Sequence, residues 1–313
     1  MRQLNYIAGR LLQLIPVLFF VTVLIFMMIR FIPGDPAEAL LGDKATPDLI
    51  AKLREAMGLN RPLYVQYVLF IKRIAAFDLG NSLRYGIPVV DLLSNRVPVT
   101  VMLTVMATLF GILISVPLGY FAALRKDTAF DQAVRIWTLL GLTMPGFWVG
   151  ILLLLVFGLG LHWFPVGSYG DTAVEHLHSL ILPALTQAIG LSAVWTRNLR
   201  NSVVDVLRTD YVAFARSKGL REGNVMTRHV LRNALISTVT LMAISFTRML
   251  GGSVITETVF ALPGVGKLMV DSIFNRDYGI IQAITFVFAL LVMVMNLVTD
   301  ISYSFLDPRV KFE

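Results

Sequence analysis

The sequence predicts an all-α integral membrane protein of six transmembrane helices, with a small external cap between the first two. Three observations predict it. Apolar residues make up 56% of the 313-residue chain and charged residues only 15%, against roughly 45–50% and about 25% in soluble domains. The apolar residues gather into runs near the roughly 20 helical residues that cross a hydrocarbon core of about 30 Å. The Lys and Arg residues collect on alternate sides of those runs.

The runs place spans at about 9–30, 100–123, 136–161, 179–197, 233–256 and 280–305. An even number puts both termini on one side. On that side lie Arg2 and Arg10, three positive residues at 125–135, eight at 197–232, and Arg309 and Lys311. On the other side, 31–98 balances eight positive residues with seven negative ones, 162–178 has no Lys or Arg, and 257–279 has two. Positive residues near span ends resist transfer, so both termini are expected in the cytoplasm. Arg2 and Arg10 ahead of an apolar stretch resemble a signal peptide, but the stretch is about 20 residues long and ends without a small-x-small cleavage pattern. It is expected to be retained as a span.

The organisation is then 1–31 for the N-terminus and first span, 32–98 for the external cap, 99–306 for the remaining spans, and 307–313 for a cytoplasmic tail. In the cap, 47–57 predicts a short helix with Thr46 as N-cap and Leu49, Leu53 and Met57 at spacings of four. A second helix is predicted over 63–77 on Tyr64, Tyr67, Val68 and Ile71, and Gly80, Gly86 and Pro88 punctuate the stretch after it. Pro117, Pro145 and Pro183 sit in or beside apolar helices, where each would bend or end the helix or serve packing.

The most informative stretch is the cytoplasmic loop at 198–232. Val203, Leu207, Tyr211 and Phe214 recur at spacings of four, four and three, which predicts one apolar helix face, with Asp205, Arg208, Thr209 and Arg216 pointing elsewhere. Gly219 is expected to end that helix, and a second short basic helix leads into the fifth span. Periodicity leaves two readings open. The helix either lies on the lipid surface with its Arg residues among anionic headgroups, or docks a soluble partner whose pocket takes Tyr211 and Phe214 and whose acidic rim meets Arg216 and Lys218.

Arg248 is a cation well inside the fifth span, costly unless it faces a bundle interior or an aqueous cavity. It is a candidate for the translocation path together with Ser245, with a structural pair or snorkelled position as the alternative. Glu257 lies nine residues further, roughly 13 Å along an ideal helix, so a direct pair would need a break or another subunit. It is a candidate for an external or interface role.

Other chemistry is excluded by composition. Without Cys there are no disulfides, thiolate metal sites or Cys nucleophiles. His162, His176, His178 and His229 form no HExxH arrangement and no HxH on an inward face. No GxxxxGK[ST] occurs, and Gly264-Val265-Gly266-Lys267 lacks the preceding strand of a phosphate loop. No catalytic residue, cofactor or metal site is expected in this chain. The formal charge of +7 is not interleaved with stacking aromatics, so the expected partner is the bilayer and not a nucleic acid.

Taken together, the residues resemble the permease subunits of bacterial ATP-binding-cassette importers of the dipeptide, oligopeptide and nickel group, specifically the first of their two permeases. The resemblance runs along the whole chain. It rests on Arg10-Leu11-Leu12 leading into Ile15-Pro16, Ile32-Pro33-Gly34-Asp35-Pro36, Leu59-Asn60-Arg61-Pro62-Leu63, and Asp210-Tyr211-Val212 with Ala215-Arg216-Ser217-Lys218-Gly219. His229-Val230-Leu231-Arg232-Asn233-Ala234, Glu257-Thr258-Val259-Phe260, Arg276-Asp277-Tyr278 and Asp307-Pro308-Arg309 complete it.

The resemblance implies a type I importer fold and a coupling role for Asp210, Tyr211, Phe214, Ala215, Arg216, Lys218 and Gly219. The family's coupling pattern is Glu-Ala-Ala, three residues, then Gly; matched on Gly219 it falls on Ala213, Phe214 and Ala215, so the carboxylate is absent here. It further implies a homologous second permease, two cytoplasmic ATPases that hold the ATP and Mg2+, and a periplasmic or lipid-anchored solute-binding protein. The localisation implied is the bacterial cytoplasmic (inner) membrane. The substrate implied is a dipeptide or short oligopeptide, because a cation at Arg248 suits a carboxylate and repels Ni2+; nickel and glutathione-like solutes are the alternatives. An ion-driven secondary transporter, which would need buried carboxylates or broken half-helices, and a membrane scaffold are rivals from other classes.

Overall fold

A computed structural model describes residues 2–31, 46–56, 58–82 and 84–306. The 32–36 motif and the 307–313 tail lie outside them. The helices are α1 (Arg2–Phe31), α2 (Pro47–Ala56), α3 (Leu63–Ala75), α4 (Val89–Leu124), α5 (Ala129–Thr143), α6 (Gly146–Leu153), α7 (Ala173–Leu207), α8 (Asp210–Ser217), α9 (Glu222–Asn224), α10 (Arg232–Gly252), α11 (Val254–Val259), α12 (Val265–Phe274) and α13 (Tyr278–Leu306). Wider π-type turns extend α6 over Leu154–Gly160 and join α9 to α10 over Val225–Leu231.

Among the described residues four helical stretches are long and apolar enough to cross a membrane: Val89–Leu124, Ala173–Leu207, Glu222–Met249 and Tyr278–Leu297. The span expected over 136–161 is instead a bent pair, α5 and α6 turning by 105°. Pro145 accounts for the break: it has no N–H to continue the ladder, and the residue before it, Met144, is held extended (φ −75°, ψ 129°). Counting the pair as one span gives five, and α1 contributes the shorter apolar stretch Leu12–Met28.

The chain packs as two compact units, one drawing on Met1–Val99 and Pro263–Leu297, the other on Thr100–Leu262. In the first, Val89, Leu92 and Leu93 of α4 bury against Val265 and Leu268 of α12 and Ile280, Ala283 and Ile284 of α13. Buried Asp277 organises its turns: one carboxylate oxygen accepts from Ile280 N at the start of α13 (3.3 Å), the other from Ser82 Oγ (2.7 Å) and Arg84 N (3.4 Å). Asp277 thus serves as an N-cap and ties the 78–88 turn to that helix.

In the second unit α7 is the central helix. It starts with a capping box, Thr172 Oγ1 accepting from Glu175 N while the Glu175 carboxylate accepts from Thr172 N. The whole Trp195 side chain is buried. Glycines let neighbouring backbones approach it: a Cβ on Gly141 of α5 would sit 2.7 Å from the Ala193 Cβ, and one on Gly111 of α4 would sit 2.6 Å from the Trp195 ring. The helix runs past both ends of the span expected at 179–197, so the loop expected from 198 begins only at Arg208.

Candidate functional site

The loop after α7 builds one short helix, α8, and tertiary contacts fix its orientation. Helix α7 ends where Arg208 N and Thr209 N donate to the carbonyls of Asp205 and Val206, and the Thr209 hydroxyl donates to the same Val206 oxygen (2.6 Å). Thr209 then turns extended and α8 starts at Asp210, an acidic residue favoured by the N-terminal end of the helix dipole. The far end closes as expected at Gly219, whose φ is +74°. Gly219 N donates to Arg216 O and Leu220 N to Ala215 O, the two-bond stop that a left-handed residue permits.

This break overturns the single apolar face expected over Val203, Leu207, Tyr211 and Phe214. Val203 belongs to α7 and is buried, whereas Tyr211 and Phe214 of α8 remain 43% and 60% exposed. The face of α8 that turns inward carries Val212 and Ala215, which pack with Leu199 and Val203 of α7, Val225 and Val230, Ala234 of α10, and Ala123 of α4. A spacing of four read across a helix end joins residues that the intervening turn rotates apart.

The rest of α8 faces out and is braced at its edges. Arg216 makes a two-pronged contact with Glu222, Nη2 to Oε1 at 2.7 Å and Nε to Oε2 at 3.2 Å, which raises the guanidinium pKa above its ordinary value. Asn233 Nδ2 donates to Tyr211 Oη (3.2 Å), linking α8 to the start of α10. The Lys218 ammonium stands 4.7 Å over the Phe214 ring. The surface thus presents Asp210, Tyr211, Phe214 and Lys218 on a helix whose other side is locked into the bundle.

The membrane-embedded candidates fall in different places. Arg248 is exposed on α10, in one helical row with exposed Asn233, Ser237, Ile244 and Gly251. Ser245 is half-buried, donating to Leu241 O (2.7 Å) and accepting from Trp195 Nε1 (3.2 Å). Glu257 is fully buried in α11, beyond the break at Ser253, with Oε1 accepting from Ser253 Oγ and Thr100 Oγ1, both at 2.8 Å.

Two groups emerge that composition and spacing did not single out. Asp131 of α5 is fully buried in a fork with Arg200 of α7, Oδ1 to Nε at 2.6 Å and Oδ2 to Nη2 at 2.7 Å, with Arg135 Nη2 adding 3.0 Å. They are 69 residues apart, so no local pattern announces the pair. Gln187, in the middle of α7, buries both side-chain polar atoms without a hydrogen-bond partner among the described residues. An amide inside an apolar run was its only signal. Among the described residues no three His, Asp or Glu gather as a metal site.

The helical architecture defines a class. It matches the MetNI methionine ABC transporter in an inward-facing form, with a TM-score of 0.58 over 69% of this chain and 96% of that one at 14% identity. It also matches an amino acid ABC transporter with a TM-score of 0.52, over 69% and 94% at 17% identity. The fold is that of an ABC-importer permease. Family profiles complete the identification: residues 115–312 match the "Binding-protein-dependent transport system inner membrane component" and residues 3–104 its N-terminal membrane component. The chain belongs to that family, as a multi-pass permease component and not an enzyme.

Relatives agree along the full length. The chain is 38% identical to the oligopeptide transport system permease protein AppB of Bacillus subtilis, covering 98% of this chain and 99% of that protein. It is 36% identical to the dipeptide transport system permease protein DppB of Alkalihalophilus pseudofirmus (99% and 100%). It is 37% identical to the glutathione transport system permease protein GsiC of Salmonella choleraesuis (99% and 100%).

Proposed function

We propose that this chain is the translocating subunit of an ATP-driven importer of dipeptides or short oligopeptides in the bacterial cytoplasmic membrane. The observation that carries the coupling part is α8: its apolar side is locked into the bundle while Tyr211 and Phe214 are left outside with Lys218 beside them. Exposed aromatics on a rigid base suit a pocket in a soluble partner better than a lipid surface, because Arg216 is already engaged by Glu222 and is not extended towards headgroups. The partner is one of two ATPases, which hold the ATP and Mg2+. Their closure pushes on α8, and α8 acts as a rigid lever on α7 and α10, switching a two-state membrane bundle.

The remaining parts of the assembly come from the family. A homologous second permease completes the path, six spans put both termini in the cytoplasm, and segment 32–98 contributes the external rim on which a solute-binding protein lands. Glu257 serves by holding α11 in place through Ser253 and Thr100. Arg248 and the exposed row on its helix face the solute path. A lone cation there favours an anionic or zwitterionic solute and disfavours Ni2+. The names of the oligopeptide, dipeptide and glutathione relatives support a peptide. Glutathione, an anionic tripeptide, is the second reading, favoured by a relative matched over its whole length.

Uptake by the complex reconstituted with its binding protein and ATPases tests this, using labelled dipeptide, glutathione and Ni2+ with and without ATP. ATP-dependent dipeptide uptake is the expected result; uptake of glutathione or Ni2+ alone would move the assignment, and uptake of none would remove it. Tyr211→Ala and Gly219→Asp should detach or uncouple the ATPases while the spans stay inserted. Co-purification and coupled uptake at the unsubstituted level in both would defeat the docking role.

A further inference from the structure

We propose that α3 lies within the bilayer rather than in water, along the leaflet at the Phe31 end of α1, with Leu63, Tyr64 and Val68 against acyl chains. Its depth is set by α1. Arg10 and Arg30 bracket nineteen uncharged residues, 11–29, which at about 1.5 Å per residue measure about 28 Å and match the hydrocarbon core. That stretch cannot slide out of the membrane without drawing a charge into it. Helix α3 packs on its middle and upper part: the Tyr67 ring meets Phe26 at 5.2 Å and Phe19 at 6.2 Å, and Phe70 meets Phe26 at 5.8 Å. Phe26 and Thr22 precede Arg30 by four and eight positions, about 6 and 12 Å inward along the helix. The packed edge of α3 is therefore below the headgroups.

The chemistry of α3 suits that level. Arg61 and Lys72-Arg73 enclose ten uncharged residues, 62–71, about 15 Å of helix, too short to cross and long enough to lie in the interface plane. The hydroxyl contact between Tyr67 Oη and Thr22 Oγ1 is 3.0 Å, and Thr22 also donates to Phe19 O at 2.8 Å, so these polar groups satisfy one another without water. On the other edge Tyr64 is 73% exposed, Leu63 57% and Val68 49%. Tyr64, Val68 and Lys72 form one row at spacings of four, apolar along its length with an ammonium at its end, as a helix does when a Lys snorkels to the surface. On α1, Phe19, Phe20 and Leu24 are also 54–69% exposed. The occupant of this face is lipid, and α3 acts as an anchor that seats the cap segment on the membrane.

The chain has no Cys, so Tyr64→Cys and Val68→Cys each give it a single nitroxide site, with Lys52→Cys on exposed α2 as the aqueous reference. In the assembled complex with Cys-free partners in lipid nanodiscs, collision rates with O2 and with the water-soluble Ni(II)-EDDA report the surroundings. Expected is an O2 to Ni(II)-EDDA ratio at 64 and 68 severalfold above that at 52. Ratios equal to that at 52 would overturn the proposal. So would labels shielded from both agents, which would mark a subunit interface, or labels shielded only when the binding protein is added, which would mark a docking surface. The readout needs no transported solute, so it fails independently of the substrate assignment.

Discussion

The two flanks of α7 are held by different physics. Towards α4 and α5 the contact is close: Gly111 and Gly141 let the Trp195 ring and the Ala193 methyl approach where a Cβ would collide, Gly119 leaves only a tight 3.0 Å for one, and the Asp131–Arg200 fork adds a buried ion pair. Towards α10 the contact is a line of small polar groups. Asn198 Nδ2 donates to Thr238 Oγ1 (3.1 Å) and Ser237 Oγ (3.3 Å), the Ser202 and Ser237 hydroxyls are 2.8 Å apart, and Trp195 Nε1 donates to Ser245 Oγ. The first flank has discrete steric fits that resist sliding. The second is made of bonds that can exchange partners or take up water at small cost. A bundle that must adopt two arrangements needs both kinds of joint, and α8 is seated against residues of both α7 and α10.

Substitutions can break this contrast, beginning with the largest effect. Arg200→Met leaves the Asp131 carboxylate with Arg135 and the Asp127 N–H alone, and should destabilise the chain by about 3 kcal/mol, the lower end of the usual cost of breaking a buried charge pair; thermal unfolding in detergent measures it. The Asp131→Leu, Arg200→Met double variant should recover most of that loss, which a purely steric role for Arg200 would not allow. Gly141→Leu comes next, at about 1–3 kcal/mol from overpacking against Ala193. Asn198→Ala and Ser237→Ala on the opposite flank should each cost about 0.6 kcal/mol, the typical value for a hydrogen bond between membrane helices. Values above those of Gly141→Leu would reverse the assignment of rigid and yielding flanks. Phe214→Ala should leave the unfolding temperature unchanged, since the ring is mostly exposed, while lowering ATPase co-purification. Arg248→Ala should likewise spare assembly and reduce uptake of anionic peptides more than neutral ones; loss of assembled complex would place Arg248 in a structural role.

Most helix positions were legible because local chemistry sets them. Thr46 and Gly219 bound α2 and α8 as expected, and Ile50 N does bond to Thr46 O. Pro145 announced a break, though not a turn of 105°. Exposure within the helices was less legible. Lipid is as apolar as a protein interior, so a Leu facing outward and one facing inward leave the same trace in the sequence. Leu109 of α4, for instance, is 54% exposed while Leu103 is buried.

The sequence by itself determined the helical class and the stop at Gly219, since hydropathy and left-handed backbone are properties of a few consecutive residues. Only the tertiary structure decided that Val212 and Ala215 face inward in place of Tyr211 and Phe214, that Asp131 finds Arg200, and that Glu257 bonds Thr100 and Ser253. The reason is common to all three: a side chain's partner across helices depends on how whole segments rotate and pack, and a periodicity of 3.6 residues carries no information about the neighbour it will meet.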